Sequence, residues 1–178
     1  LDQDDFYELQ TFMVEPEPAL PWYYNSIIDS ADDVDKFQFT HLFYTDWVPI
    51  SSSMKILNPI LIKIDPVSLW RIKANLLTRT SNIVENEFHR DMGRMYQNGV
   101  EIDASVHEKI LSQITTSIFY VNTNNGYTKF EDGTKVESVA NRMVTFPANM
   151  KHTGASCTDE QTRVVINFNY FGNTLKMR

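Results

Sequence analysis

From Arg71 onward the sequence is a succession of short segments rich in β-branched and aromatic residues, each closed by turn-forming residues, and this punctuation confines the chain to a sheet-built fold. Residues 72–79, 82–89, 116–122, 127–130, 143–147 and 162–171 read as strands. Asn124-Asn125-Gly126, Asp132-Gly133 and Thr158-Asp159-Glu160 supply turns between them. Short strands at such spacing predict a sandwich or barrel. One helix is expected inside this region, over residues 104–114, because Val106, Ile110, Leu111 and Ile114 recur at helical spacing; it should pack outside the sheet. Ahead of Arg71 the pattern predicts a helix over 4–12 and a loop carrying Pro16, Pro18 and Pro21. A strand or broken helix is expected over 32–44, and a turn or short helix over 66–70. No internal repeat or low-complexity linker divides the chain, so residues 1–178 are expected to form a single domain, with 1–70 supporting a core over 71–171.

At 178 residues such a domain can bury a real core without staples. No stretch approaches the roughly 20 apolar residues of a membrane span, and residues 59–64, the longest apolar run, are broken by Lys63. The first residues lack the basic-then-apolar pattern of a secretory signal, and Cys157 has no second cysteine to pair with. A reduced, cytoplasmic setting without membrane contact is the expectation. Beginning at Leu1 rather than methionine, the sequence reads as trimmed. The net charge of −7 argues against a broad nucleic-acid surface. Arg71, Lys73 and Arg79 form a local basic group, read here as a solvated strand face in preference to a phosphate-contacting groove.

The chemistry-bearing residues are few. His89 and Asp91 stand two apart at the end of an expected strand, so an imidazole and a carboxylate can share one face and converge on an ion. His152, just after the 143–147 strand, can complete a 2-His-1-carboxylate set, which leaves metal positions open. Arg163 opens the last apolar strand eleven residues after His152. A guanidinium there needs an anionic partner, either a bound carboxylate or, on the bland reading, Glu137 or Asp159 at the strand edge.

Five blocks in order carry a family resemblance: Phe88-His89-Arg90-Asp91, Ile118-Phe119-Tyr120-Val121-Asn122, Gly126-Tyr127-Thr128-Lys129-Phe130, Val144-Thr145-Phe146-Pro147 ahead of His152, and Arg163. Over residues 71–171 the chain resembles the prolyl-4-hydroxylase-like iron(II)- and 2-oxoglutarate-dependent oxygenases, most of all members encoded by bacteriophages. The resemblance implies a mainly β fold with flanking helices, a double-stranded β-helix of the jelly-roll, cupin-like kind. It implies that His89, Asp91 and His152 hold Fe(II), that Arg163 pairs with the distal carboxylate of 2-oxoglutarate, and that Tyr120 assists there. Asn122 and Asn167 share the inward parity of Tyr120 and Arg163, so each either lines the co-substrate pocket or satisfies buried backbone groups. The implied reaction consumes O2 and couples decarboxylation of 2-oxoglutarate to substrate oxidation, with ascorbate as an optional accessory. Asp91 at the carboxylate position leaves no place for a halide, so hydroxylation is expected rather than halogenation.

Other readings have less to stand on. His89-Arg90-Asp91 also spells a kinase catalytic-loop core, but Tyr96 occupies the position that needs asparagine, Asn98 misses the register, and no glycine-rich loop precedes it. A zinc site would give Arg163 no role. A jelly-roll binding protein without turnover is the competing class. His41 and His107 read as packing residues, and Trp22, Tyr23, Tyr24 and Trp47 as core aromatics or pocket walls. The expected substrate is a protein residue or small molecule, with nucleic-acid bases less favoured by the acidic charge; the loops over 47–55 and 93–103 are the expected lids.

Overall fold

A computed structural model describes residues 1–17, 20–28, 36–93, 95–97 and 99–172. Pro18, residues 32–35 of the expected 32–44 segment, and Arg94 and Asn98 in the 93–103 loop lie outside the described residues.

The chain opens with helix α1, Gln3–Val14, started by the Asp2 side chain accepting from the Asp5 amide and ended where extended Glu15 meets Pro16. Phe6, Leu9 and Met13 give it one buried stripe. Strands β1 (Tyr23–Asn25), β2 (Gln38–Thr45) and β3 (Val48–Pro49) follow. A 3-10 turn over Ser52–Leu57 then runs into α2, Asn58–Ile64, where Pro59 fits the first turn and left-handed Asp65 closes the last. Next come β4 (Ser68–Thr78), the small hairpin β5 (Tyr96–Gln97) and β6 (Val100–Glu101), and α3 (Ala104–Leu111), capped by Asp103. The remaining strands are β7 (Ile114–Tyr120), β8 (Tyr127–Phe130), β9 (Lys135–Glu137), β10 (Met143–Pro147), β11 (His152–Gly154) and β12 (Thr162–Phe171).

Among the described residues the larger sheet runs β1-β2-β4-β12-β7-β10, with β3 beside β2, and the smaller runs β11-β8-β9. All pairings are antiparallel. The fold is a double-stranded β-helix, mainly β, with α1 and α2 packed on one face of the larger sheet and α3 in a separate cluster with Ile114 and Ala148. Strand β12 shows why. Its Val164, Ile166, Phe168 and Tyr170 belong to the core beneath α1 and α2, while Val165 packs with Ile118, Tyr120, Phe130 and Phe146 between the sheets. Both faces are covered, so every residue from Arg163 to Tyr170 is buried, including the polar Arg163, Asn167 and Asn169 on the inner face. No described helix is long and apolar enough to cross a membrane.

Three local expectations are corrected. Residues 82–89 form no strand; they touch the smaller sheet through two isolated bridges, Glu85 with Ala155 and His89 with His152. Residues 68–70 belong to β4 rather than to a turn or helix, and the 104–114 helix ends at Leu111 so that Ile114 can open β7. Trp47, Tyr23 and Tyr24 are exposed and stand neither in the core nor at the cavity described below, whereas Trp22 packs against the main core.

Candidate metal centre

The two bridges are what bring the histidines together. His89 and His152 face each other in antiparallel register, each amide donating to the other's carbonyl at 2.9 and 3.0 Å, and their rings lie 5.0 Å apart. Each Nδ1 faces a backbone carbonyl, Glu87 at 3.0 Å for His89 and Met150 at 3.5 Å for His152. That contact favours the Nδ1–H tautomer and leaves Nε2 as the lone-pair nitrogen. Asp91, two residues on, completes the group: the ligand atoms of His89, Asp91 and His152 lie within 4.8 Å of one another. Two imidazoles and one carboxylate at that spacing could hold a first-row divalent metal with coordination positions left open.

Asp91 is held from behind. Its side chain is 5% exposed, Asn167 Nδ2 donates to Oδ1 at 3.1 Å, Asn169 Nδ2 donates to Oδ2 at 3.0 Å, and Arg71 Nη2 stands 3.8 Å from Oδ1. Burial opposes the negative charge, yet His152, Arg71 and the Asn169 hydrogen bond outweigh it and hold the carboxyl below the usual range. Burial also pushes His152 down, with the Asp91 charge opposing it.

The group opens onto a cavity of about 400 Å³, whose far end is formed by Arg163. Arg163 is 3% exposed. Its Nε donates to Ser138 Oγ at 2.8 Å and its Nη2 to Thr128 Oγ1 at 3.3 Å, and among the described residues no carboxylate pairs with it. Neither Glu137 nor Asp159 plays that part; Asp159 instead accepts from the Asn125 amide. Gly126 makes room for the side chain, since a Cβ there would sit 2.6 Å from Arg163 Cδ.

The other expected residues divide. Asn167 lines the cavity and supports Asp91. Tyr120 lies one layer behind: fully buried, it donates to Thr128 Oγ1 at 2.8 Å, with the Arg163 guanidinium 5.8 Å over its ring. Asn122 is not at the cavity. Its amide donates to Thr162 O and accepts from the Val164 amide, so of the two roles expected for it the backbone one holds. Arg71 and Lys73, expected on a solvated face, instead line the cavity, and only Arg79 is exposed. The sequence assigns no individual role to Asn169 or to Thr128, although Asn169 shares the parity of Arg163 and Asn167. His41 is a buried packing residue, its ring between Pro21 O and Ser51 Oγ.

No protein-family model and no curated protein matches the sequence. Solved structures match in shape. An oxidoreductase of the 2OG-Fe(II) oxygenase family from Burkholderia pseudomallei is similar with a TM-score of 0.56 at 10% identity, over 96% of this chain and 79% of that one. HygX from Streptomyces hygroscopicus, solved with nickel and 2-oxoglutarate bound, gives 0.42 at 11% identity over 77% and 70%. A cupin protein from Bacteroides fragilis gives 0.38 at 10% identity over 58% and 67%. At such identities the likeness concerns fold, and the first comparison, spanning nearly the whole chain, agrees with the double-stranded β-helix.

Proposed function

We propose that this protein is an iron(II)- and 2-oxoglutarate-dependent dioxygenase that hydroxylates a small molecule or a protein residue in the cytoplasm. The observation that carries the proposal is the buried Arg163, a guanidinium without a carboxylate partner among the described residues, at one end of the cavity that holds His89, Asp91 and His152 at the other. A buried unpaired charge is costly, and a dianionic co-substrate reaching from the metal position to Arg163 would offset that cost.

The donor set fits the group. His89, Asp91 and His152 would hold the metal, while Asn167 and Asn169 keep both Asp91 oxygens in place. Bound iron(II), with 2-oxoglutarate and O2, supplies the oxidation and releases succinate and carbon dioxide. Arg163 binds the distal carboxylate, its fork aimed by Ser138 and Thr128, with Tyr120 bracing Thr128. Ile118 and Val165 wall the middle of the cavity and keep water from the reacting end. Because Asp91 supplies the carboxylate ligand, hydroxylation is the favoured outcome over halogenation.

The test is anaerobic addition of Fe(II) and 2-oxoglutarate, scored by the visible charge-transfer band of the chelate, followed by O2 and measurement of succinate. The band should form in the parent and be lost in His89→Ala and Arg163→Ala. If no band forms in the parent, the oxygenase reading fails. A band without succinate for any substrate supports the non-catalytic binding class instead.

A further inference from the structure

The inner face of β4 carries more positive charge than the proposed metal and co-substrate account for. In the β4–β12 register Leu77 lies opposite Arg163, Lys73 opposite Asn167 and Arg71 opposite Asn169. Arg71 and Lys73 therefore flank the Asp91 end of the cavity, with Lys73 four residues along the ladder from the Arg163 position, about 13 Å at the rise of a strand.

Among the described residues neither cation has a close partner. Lys73 is half-buried, lines the cavity, and makes no hydrogen bond or ion pair among the described residues. Arg71 reaches only the 3.8 Å approach to Asp91, and its Nε is buried without a partner. Burial and the neighbouring Arg71 both push the Lys73 ammonium towards losing its proton, with Asp91 opposing, so the two cations work against each other. The cavity carboxylates do not restore balance. Asp91 is claimed by the metal position, Glu87 stands at the exposed rim, and Arg90 is already engaged by Glu108 at 3.2 Å. A divalent ion and a dianionic co-substrate cancel each other, so the excess persists when both are bound.

We infer that Arg71 and Lys73 form a second anion subsite, beside the metal position and apart from Arg163, that holds an acidic group of the primary substrate. The inference rests on the oxygenase reading and names its substrate class: a small organic acid or phosphorylated molecule, presented to the metal by its own charge. An ammonium and a guanidinium side by side suit a carboxylate or phosphate, and their half-buried position strengthens the attraction over that at an open surface.

The experiment is calorimetric titration of the full chain, loaded anaerobically with Fe(II) and saturating 2-oxoglutarate, with benzoate, inorganic phosphate and the neutral twin benzamide. The anions should bind about tenfold or more tightly than benzamide; Lys73→Gln should abolish that preference with 2-oxoglutarate affinity kept within about twofold, and Lys73→Arg should restore it. The inference is overturned if benzoate and phosphate show no preference over benzamide, if Lys73→Gln keeps the preference, or if Lys73→Arg does not restore it. It is equally overturned if Lys73→Gln weakens 2-oxoglutarate about tenfold, which would place the lysine on the co-substrate. Should the parent form no chelate, the oxygenase reading fails by itself. The same titrations on metal-free protein then decide the anion subsite, supported by a loss in Lys73→Gln and overturned without one.

Discussion

Asn169 Nδ2 donates to Asp91 Oδ2 at 3.0 Å from a fully buried position on β12, and the same amide lies 3.0 Å from Thr116 Oγ1 on β7. One asparagine thus ties the carboxylate, carried on an irregular segment, to the centre of the larger sheet. A ligand on a loop is only as well placed as the groups that hold it, and loss of such a support typically costs 10- to 100-fold in metal affinity. Asn169→Ala should therefore weaken binding of Fe(II) or Co(II) by about 10- to 100-fold while the far-ultraviolet circular dichroism stays that of the parent. Equal metal affinity in the variant would show that Asn167 alone suffices.

Gly126 offers a sharper steric test. A methyl at that position would meet Arg163 Cδ at 2.6 Å, Asn124 Oδ1 at 2.8 Å and Ser156 O at 2.9 Å, and the backbone oxygen cannot swing aside. Gly126→Ala should destabilise the fold by about 1–3 kcal/mol. Gly93→Ala, which meets nothing within 4 Å, should leave stability nearly unchanged. Urea midpoints of the two variants, measured together, check the contrast.

What the sequence revealed and concealed follows from how each strand is bounded. The 127–130, 143–147 and 162–171 segments match β8, β10 and β12 because turns or proline close them and their residues are buried on at least one face. Residues 82–89 misled because their apolar members Val84 and Phe88 are exposed, and only the Glu85 and His89 bridges join the segment to a sheet. The clustering of His89, Asp91 and His152 was legible from type and spacing. The parity argument worked for Asn167, inside β12, and failed for Asn122, since β7 ends at Tyr120 and alternation stops with it. Arg71 and Lys73 read as solvated because polar residues usually face water; at the open end of this fold the inner face is polar too, and polarity there marks the cavity.

Glu85 gives a pH dependence with a definite sign. Hydrogen bonds from Lys129 and Tyr127 hold its carboxyl below the ordinary value, with Lys135 adding a weaker attraction. A folded-state value below the unfolded one contributes stability above the unfolded pKa, near 4.3, and that contribution is lost as pH falls through the depressed folded value. The side chain is 34% exposed, so solvent screening keeps the effect small. Glu85→Gln should be less stable than the parent by at most about 1 kcal/mol at pH 7, with the gap closing below about pH 4. Denaturant midpoints of both proteins at pH 7, 5 and 3.5 follow it; a gap that widens on acidification would refute the assignment.

Arg163 should behave as a functional charge rather than a structural one. A buried ion pair broken on one side costs several kcal/mol, but among the described residues Arg163 has no ionic partner to abandon, only Ser138 and Thr128 hydroxyls that can turn elsewhere. Removing the guanidinium with its stem kept, as Arg163→Met, should therefore leave the stability of the ligand-free protein within about 1 kcal/mol of the parent or raise it. Co-substrate separates the two: with Mn(II) present, 2-oxoglutarate at about 100 times its dissociation constant should stabilise the parent by about 2.7 kcal/mol and leave the variant unmoved. Thermal melts with and without 2-oxoglutarate read both quantities. A variant that unfolds without ligand would make Arg163 a structural residue, and a variant still stabilised by 2-oxoglutarate would place the co-substrate's anchor elsewhere in the cavity.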